Sequence, residues 1–114
     1  MPYINVKTNQ KIDSATAETI KSQLGQAISI VPGKSESWLM VELEDERKLY
    51  FKGDGSAPLA IVTVEIYGSA SSAAYSKLTG EISSILNSGL GISPSNCYVK
   101  YYETSNWGWN GSNL

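Results

Sequence analysis

One run of eight residues decides the fold: Leu59-Ala60-Ile61-Val62-Thr63-Val64-Glu65-Ile66. Its side chains are apolar on both faces for most of its length, a pattern that is typical of a strand buried inside a sheet. Valine and isoleucine also favour the extended backbone, because branching at Cβ restricts their side chains in a helix. We therefore predict a central strand here and place the other elements around it.

Two segments with helical periodicity flank this strand. The first runs from Asp13 to Val31, and Asp13 or Ser14 is suited to cap its start. The second runs from Ser69 to Ser88, with Gly89 placed to take the left-handed conformation that ends many helices. Each carries one apolar stripe at helical spacing. The stripes comprise Ile20, Leu24, Ala27, Ile28 and Val31, and then Tyr75, Leu78, Ile82, Ile85 and Leu86.

Four further segments favour strands. Residues 3–8 alternate between apolar and polar side chains, as do residues 97–102. Residues 38–43 lead through an acidic turn into Lys48-Leu49-Tyr50-Phe51, which we predict to return as the second strand of a hairpin.

The order of these elements predicts an α/β fold made of two β-α-β repeats with pseudo-two-fold symmetry. A proline precedes the first strand of each repeat, at Pro2 and Pro58. Parallel strands joined by right-handed crossovers place both helices on one face of the sheet. The other face is then uncovered, and we expect its apolar residues to be covered by another copy of the chain. Residues 1–114 read as a single domain, since no linker or low-complexity run divides them.

Composition excludes several classes of function. The chain has 114 residues, no histidine and one cysteine, Cys97. A Ser–His–Asp triad, an intrachain disulfide and a cysteine or histidine metal cage are therefore ruled out. We expect no cofactor and no bound metal, and we interpret Cys97 as an inert packing residue because nothing nearby in sequence activates it.

Net charge and hydropathy limit the classes of partner and the cellular location that we expect. The net charge of −2 comes with no basic cluster, so we expect no nucleic-acid partner. No apolar run approaches the roughly 20 residues of a transmembrane helix, and no secretory signal is evident, so we expect no membrane association and a cytoplasmic location. The alternative location is outside the cell, reached without a signal peptide.

Without histidine, the N-terminal amine is the natural candidate for a base near neutral pH, since its ordinary pKa is about 8. Removal of Met1 would make Pro2 a free secondary amine at the start of a strand. Lys34 follows Gly33 after the first helix, where it could stand beside Pro2 and bind an anionic substrate. Both residues also have plain interpretations: proline is common at position two, and a lysine is favourable at a helix C-terminus.

Aromatic residues gather near the end of the chain. Trp107-Gly108-Trp109, followed by Asn110-Gly111-Ser112, suggests a shaped loop whose rings wall a small-molecule cleft. The alternative is that these rings build a core or a subunit interface, as such clusters more often do.

Taken together, these residues resemble the macrophage migration inhibitory factor family of the tautomerase superfamily, over essentially the whole chain. No single sequence marker is specific to this family, but the order and spacing of the markers together are. The markers are Met1-Pro2, Gly33-Lys34, Tyr75-Ser76-Lys77-Leu78, Ile92-Ser93-Pro94 and Gly108-Trp109-Asn110-Gly111-Ser112.

This resemblance implies a homotrimer with a barrel-like core of three sheets and active sites between subunits. It also implies a cofactor-independent isomerase, a keto–enol tautomerase of α-keto acids such as phenylpyruvate or of dopachrome-type compounds. The implied roles are Pro2 as catalytic base, Lys34 and the backbone N–H of Val64 as carboxylate ligands, Tyr98 from the adjacent subunit, and Trp38 and Trp109 as walls.

Two positions depart from the pattern that the resemblance implies. Lys100 stands where asparagine is common near the pocket, which adds a second cation to the substrate-binding residues. Ala57-Pro58-Leu59-Ala60 stands where some members carry a CxxC pair, so thiol oxidoreductase activity is not expected. The alternative function is a cytokine-like signalling protein with a vestigial site and a host receptor as its partner.

Overall fold

The computed structural model describes residues 1–114 as two α-helices and six strands. The helices are α1 (Ser14–Ala27) and α2 (Ser72–Leu90). The strands are β1 (Pro2–Thr8), β2 (Met40–Glu44), β3 (Ala60–Tyr67), β4 (Cys97–Thr104), β5 (Gly108–Trp109) and β6 (Ser112–Asn113). Short 3₁₀ turns lie at Ile28–Ile30, Glu36–Trp38 and Pro94–Asn96.

Four strands form one sheet in the order β2-β1-β3-β4. β1 and β2 are parallel, β3 and β4 are parallel, and β1 pairs with β3 in the antiparallel sense. The sheet therefore consists of two β-α-β units joined through its two central strands, and the units are related by a pseudo-two-fold axis. This confirms the predicted fold class and the central position of the strand that opens at Ala60.

The hydrophobic core lies between the two helices and one face of the sheet. Alternate residues of the central strands point into it, as the strand period of two requires. Neither helix combines the length and the apolarity needed to span a bilayer. The largest fully buried side chains are Ile4, Ile20, Leu24, Ile28, Ile66, Leu78, Ile82, Leu86 and Ile92.

The opposite face of the sheet is more polar than the sequence suggested. The Tyr3 hydroxyl donates a hydrogen bond of 2.5 Å to the Glu42 carboxylate, and the Asn5 amide donates one of 2.9 Å to Glu44. Lys100 lies on the same face and is exposed. The expectation that another copy of the chain covers this face stays a prediction, because the face also carries Met40, Tyr98 and Tyr102, which are 70%, 60% and 51% exposed.

The predicted hairpin after residue 43 is wrong. Residues 48–51 form no strand beyond a single bridge between Phe51 and Asp54, and Trp38 lies in a 3₁₀ turn instead of a strand. The cause is a contact distant in sequence: the backbone N–H groups of Glu46 and Arg47 donate to the carbonyls of Gln10 and Thr8. The chain leaving β2 is thereby held beside the end of β1 and does not reverse onto β2.

Helix ends were predicted with mixed success. The Asp13 side chain caps α1 by accepting the N–H of Thr16 at 2.8 Å, as expected. The C-terminal cap of α2 lies two residues later than the sequence predicts. Gly89 lies inside that helix, and Gly91 takes the left-handed conformation, with φ of 67°. Its N–H donates to the carbonyls of Asn87 and Leu86, so the helix continues one turn further than its apolar stripe indicates.

Two glycine substitutions test this assignment. Replacing Gly91 by alanine should destabilise the protein by about 1–2 kcal/mol, because a side chain disfavours positive φ even where no neighbour obstructs it. Replacing Gly80, a helical and unobstructed glycine of the same helix, should stabilise it by up to about 1 kcal/mol. Urea denaturation of both variants measures the difference. Equal changes in the free energy of unfolding for the two variants would contradict the assignment of Gly91 as the C-terminal cap of α2.

Candidate active site

The loop after α1 brings Lys34 to one edge of the sheet. Val31-Pro32-Gly33-Lys34 is a tight turn closed by the Lys34 N–H donating to the Val31 carbonyl at 3.1 Å. Proline at the second position and Gly33, with φ of 80°, at the third are the residues that a type II turn requires. The Lys34 ammonium then donates a 2.6 Å hydrogen bond to the backbone carbonyl of Tyr67, the last residue of β3.

Lys34 also lies beside the N-terminal amine. The pKa of the Met1 amine is below its ordinary value, first because the group is partly desolvated and then because the Lys34 charge and a hydrogen bond with Lys34 oppose its protonation. The Met1 carbonyl accepts the Tyr67 N–H at 3.0 Å, which ties the start of the chain to the end of β3. The predicted proximity of Lys34 to the start of the first strand is thus present in the folded chain.

A cleft of about 500 Å³ opens at this end of the sheet. Trp38 and Trp109 form one wall, their ring centroids 5.1 Å apart and their planes at 88°. Asn110 and Gly111, both at positive φ, make the turn between β5 and β6 that holds Trp109 in place. The cleft is lined by Met1, Pro2, Tyr3, Ser37, Trp38, Leu39, Met40, Glu65, Trp107, Gly108 and Trp109.

Pro2 is buried and lines this cleft. While Met1 precedes it, the Pro2 nitrogen belongs to an amide, which has no basic lone pair. Only removal of Met1 converts that nitrogen into an amine.

Val64 is not brought to the cleft. Its side chain is fully buried in the core, and its strand lies between β1 and β4. Since the Tyr67 N–H points to β1 and N–H directions alternate along a strand, the Val64 N–H points to β4 inside the sheet. The backbone of Tyr67, at the open end of β3, lies next to Lys34 instead.

Tyr98 and Lys100 lie elsewhere in the same chain. Tyr98 pairs with Ile61, whereas Pro2 pairs with Ile66, five residues further along β3. At about 3.3 Å per residue, this places Tyr98 about 17 Å along the sheet from Pro2. A single chain therefore does not assemble all the predicted site residues.

A second, smaller cavity of about 220 Å³ lies around Tyr98, at the far end of the sheet from Pro2. Phe51 packs edge-to-face on Tyr98 there, with ring centroids 5.2 Å apart. Cys97 begins the same strand, and burial raises the pKa of its thiol, which fits an unreactive packing residue. No group of three or more Cys, Asp and Glu side chains converges so as to hold a metal ion.

Sequence reasoning missed Glu65 as a cleft residue. Its carboxylate makes no ion pair and no hydrogen bond within the chain, and the residue is only partly exposed. A lone acidic residue in an otherwise apolar strand was visible in the sequence. Its position beside Pro2 depends on the pairing of Tyr3 with Glu65, which the sequence does not reveal.

The fold and the site thus define this protein as a small α/β protein of two β-α-β units, with an aromatic cleft beside the start of its chain. The chain belongs to the macrophage migration inhibitory factor family, whose family model matches residues 1–114. It is 32% identical to macrophage migration inhibitory factor of Meriones unguiculatus over 116 aligned positions, covering 98% of this chain and 97% of that protein.

Solved structures share the fold. MIF2 of Leishmania major matches with a TM-score of 0.92 at 28% identity, over 100% of this chain and 97% of that one. Pt0534, solved after inactivation by 2-oxo-3-pentynoate, matches with a TM-score of 0.84 at 15% identity, over 96% of this chain and 93% of that one.

Proposed function

We propose that this protein is a keto–enol tautomerase of α-keto acids such as phenylpyruvate, with the amine of Pro2, freed by removal of Met1, as its catalytic base. Membership of the family supports a tautomerase or cytokine-like role in general. The identities of the substrate and of the catalytic base go beyond family membership, and we argue both from the site.

One observation carries the proposal: Lys34 stands against the N-terminal amine at the mouth of an aromatic cleft. After removal of Met1, the Pro2 nitrogen becomes the first atom of the chain at this same end of β1. Partial desolvation and the Lys34 charge then favour its neutral form, as they do for the Met1 amine. A neutral secondary amine in such a place is a competent base near pH 7.

The chemistry needs few groups. Lys34 binds the substrate carboxylate, which orients the α-keto acid along the cleft. Pro2 removes a proton from the carbon next to the ketone, and the proton returns to the ketone oxygen to give the enol. The reverse direction takes the proton from the enol oxygen and returns it to carbon. Trp38 and Trp109 exclude water from the reacting atoms and cover the aryl group.

The inactivated neighbour gives independent support. Pt0534 was inactivated by 2-oxo-3-pentynoate, itself an α-keto acid. A shared fold with a protein that takes such a compound favours this substrate class for the present chain.

We propose further that the working unit is a homotrimer, in which Tyr98 and Lys100 of one subunit complete the cleft of the next. Two features support this: Tyr98 is 60% exposed and distant from Pro2 in its own chain, and β2 and β4 both leave an unpaired sheet edge. Edges of this kind are suited to pair with another copy.

A spectrophotometric assay of phenylpyruvate tests the function. Purified protein that lacks Met1 should accelerate conversion of the enol to the ketone, in a particle with three times the 12.3 kDa mass of the chain. Protein that lacks Met1, is correctly folded and gives only the uncatalysed rate would contradict the proposal.

A cytokine-like role with a vestigial site is the second candidate. One observation favours it: Met1 lines the cleft, and its carbonyl is bonded to the Tyr67 N–H, so a retained methionine would fit the fold while blocking the base. The intact mass of protein purified from its natural source discriminates between the two. Retained Met1 favours the interaction role, in the cytoplasm or outside the cell.

A further inference from the structure

Glu65 is an acidic group without a partner in the wall of the cleft. It contributes the only charged side chain among the residues that line it. No lysine or arginine lies within ion-pair distance of its carboxylate, and no group in the chain donates to it. A partly buried charge of this kind is costly unless a cation approaches it.

The surroundings of Glu65 are negative as well. The pKa of Tyr3, its partner on β1, is raised to about 12, first by the hydrogen bond to Glu42, then by desolvation and by the charges of Glu42, Glu65 and Glu44. The charges of these carboxylates contribute to the shift after the hydrogen bond and desolvation, so three carboxylates lie near the Tyr3 hydroxyl. A second anion would be repelled from this part of the cleft, and a cation would be attracted.

The tryptophans beside Glu65 add a second kind of attraction. Trp38 and Trp109 are 48% and 51% exposed and meet at a right angle, and Trp107 also lines the cleft. Exposed indole faces are the aromatic surfaces that bind cations best, and cages of such rings with a nearby carboxylate recognise quaternary ammonium groups.

A positive charge, that of Lys34, lies beside Met1 at the edge of the cleft. Lys34 is bonded to the carbonyl of Tyr67, which lies two residues after Glu65 on β3. Residues 65 and 67 share one face of the sheet, about 7 Å apart along the strand. Glu65 in the cleft and Lys34 at its edge are thus held by the same strand at positions two residues apart, a span comparable to one aryl group.

We propose that Glu65 and the tryptophans form a cation-binding subsite, so that the cleft selects aryl carboxylates that carry a positively charged group at the end remote from the carboxylate. This inference rests on the proposed function for the orientation of the ligand, because Lys34 must take the carboxylate. It adds a specificity that the proposed function does not require.

Two ligands of equal shape test the proposal without any catalysis. 4-(Trimethylammonio)phenylacetate and 4-tert-butylphenylacetate differ in charge but hardly in size, and neither is an α-keto acid. We expect the unaltered protein, with Met1 removed, to bind the ammonium ligand about tenfold more tightly in calorimetric titrations. Equal binding, or tighter binding of the tert-butyl compound, would overturn the proposal, including the case in which Lys100 of another subunit neutralises Glu65.

One substitution tests whether Glu65 causes the preference for the ammonium ligand. Glu65→Gln should remove most of the preference while leaving affinity for the tert-butyl compound unchanged. The matched control is Glu81→Gln, an exposed residue of α2 outside the cleft, which should keep the full preference. A preference that survives in a folded Glu65→Gln protein would refute the role of Glu65. Since neither ligand reacts, these results stand whether or not phenylpyruvate is turned over.

Discussion

Protein that carries one additional glycine before Pro2 is expected to lose tautomerase activity, with kcat/KM for phenylpyruvate lowered by about 10²–10⁴-fold. The added residue converts the Pro2 nitrogen from an amine into an amide, which cannot accept the proton. Nothing in the core has to change, because the start of the chain lies at the mouth of the cleft and Met1 already occupies this position. Steady-state assays on the glycine-extended protein and on the protein that begins at Pro2 give the ratio of their kcat/KM values.

The control for this experiment is Pro2→Ala in protein that lacks Met1. Alanine keeps a free amine at the same site, although a primary one, so part of the activity should remain. Circular dichroism and the mass of the assembly establish that each variant is folded. Full activity of the glycine-extended protein would show that another group is the base.

The Lys34→Ala variant is expected to raise KM for phenylpyruvate by about 10–100-fold, since a charge-assisted hydrogen bond to a carboxylate contributes about 1.5–3 kcal/mol. It should also move the acidic limb of the kcat/KM profile to higher pH. Lys34 opposes protonation of the N-terminal amine, and without this cation the pKa of the amine rises, so a higher pH is needed to keep it neutral.

Lys77→Ala is the matched control, because Lys77 is exposed on α2 and lies outside the cleft. It should leave both KM and the pH profile unchanged. A Lys34→Ala protein whose KM rises but whose acidic limb stays in place would separate the two roles. Lys34 would then bind substrate without acting on the base.

The parts of the fold that the sequence predicted are those specified by local patterns. The apolar run that begins at Leu59 needs a buried strand wherever it lies, and the two helical stripes need a common surface to cover. Pro32 and Gly33 likewise determine a turn through their own φ preferences, and this turn brings Lys34 to the sheet edge.

The parts that failed depend on contacts between distant residues. Nothing near Arg47 in sequence reveals that its N–H bonds to Thr8, so the hairpin after β2 was predicted wrongly. The position of Glu65 beside Tyr3 follows from a strand register that two segments set jointly. Val64 was placed by resemblance alone, and the register shows that Tyr67 holds the open end of the strand.

The central claim, a neutral Pro2 amine in the cleft, can be tested directly by covalent labelling with 2-oxo-3-pentynoate. A neutral amine adds to the alkyne carbon remote from the ketone, forming a carbon–nitrogen bond while a proton moves to the adjacent carbon, with no leaving group. Peptide mass spectrometry of protein lacking Met1, labelled at pH 7, should place one adduct on Pro2, together with loss of phenylpyruvate turnover. An unmodified Pro2 with the adduct on Cys97 or a lysine would contradict the claim.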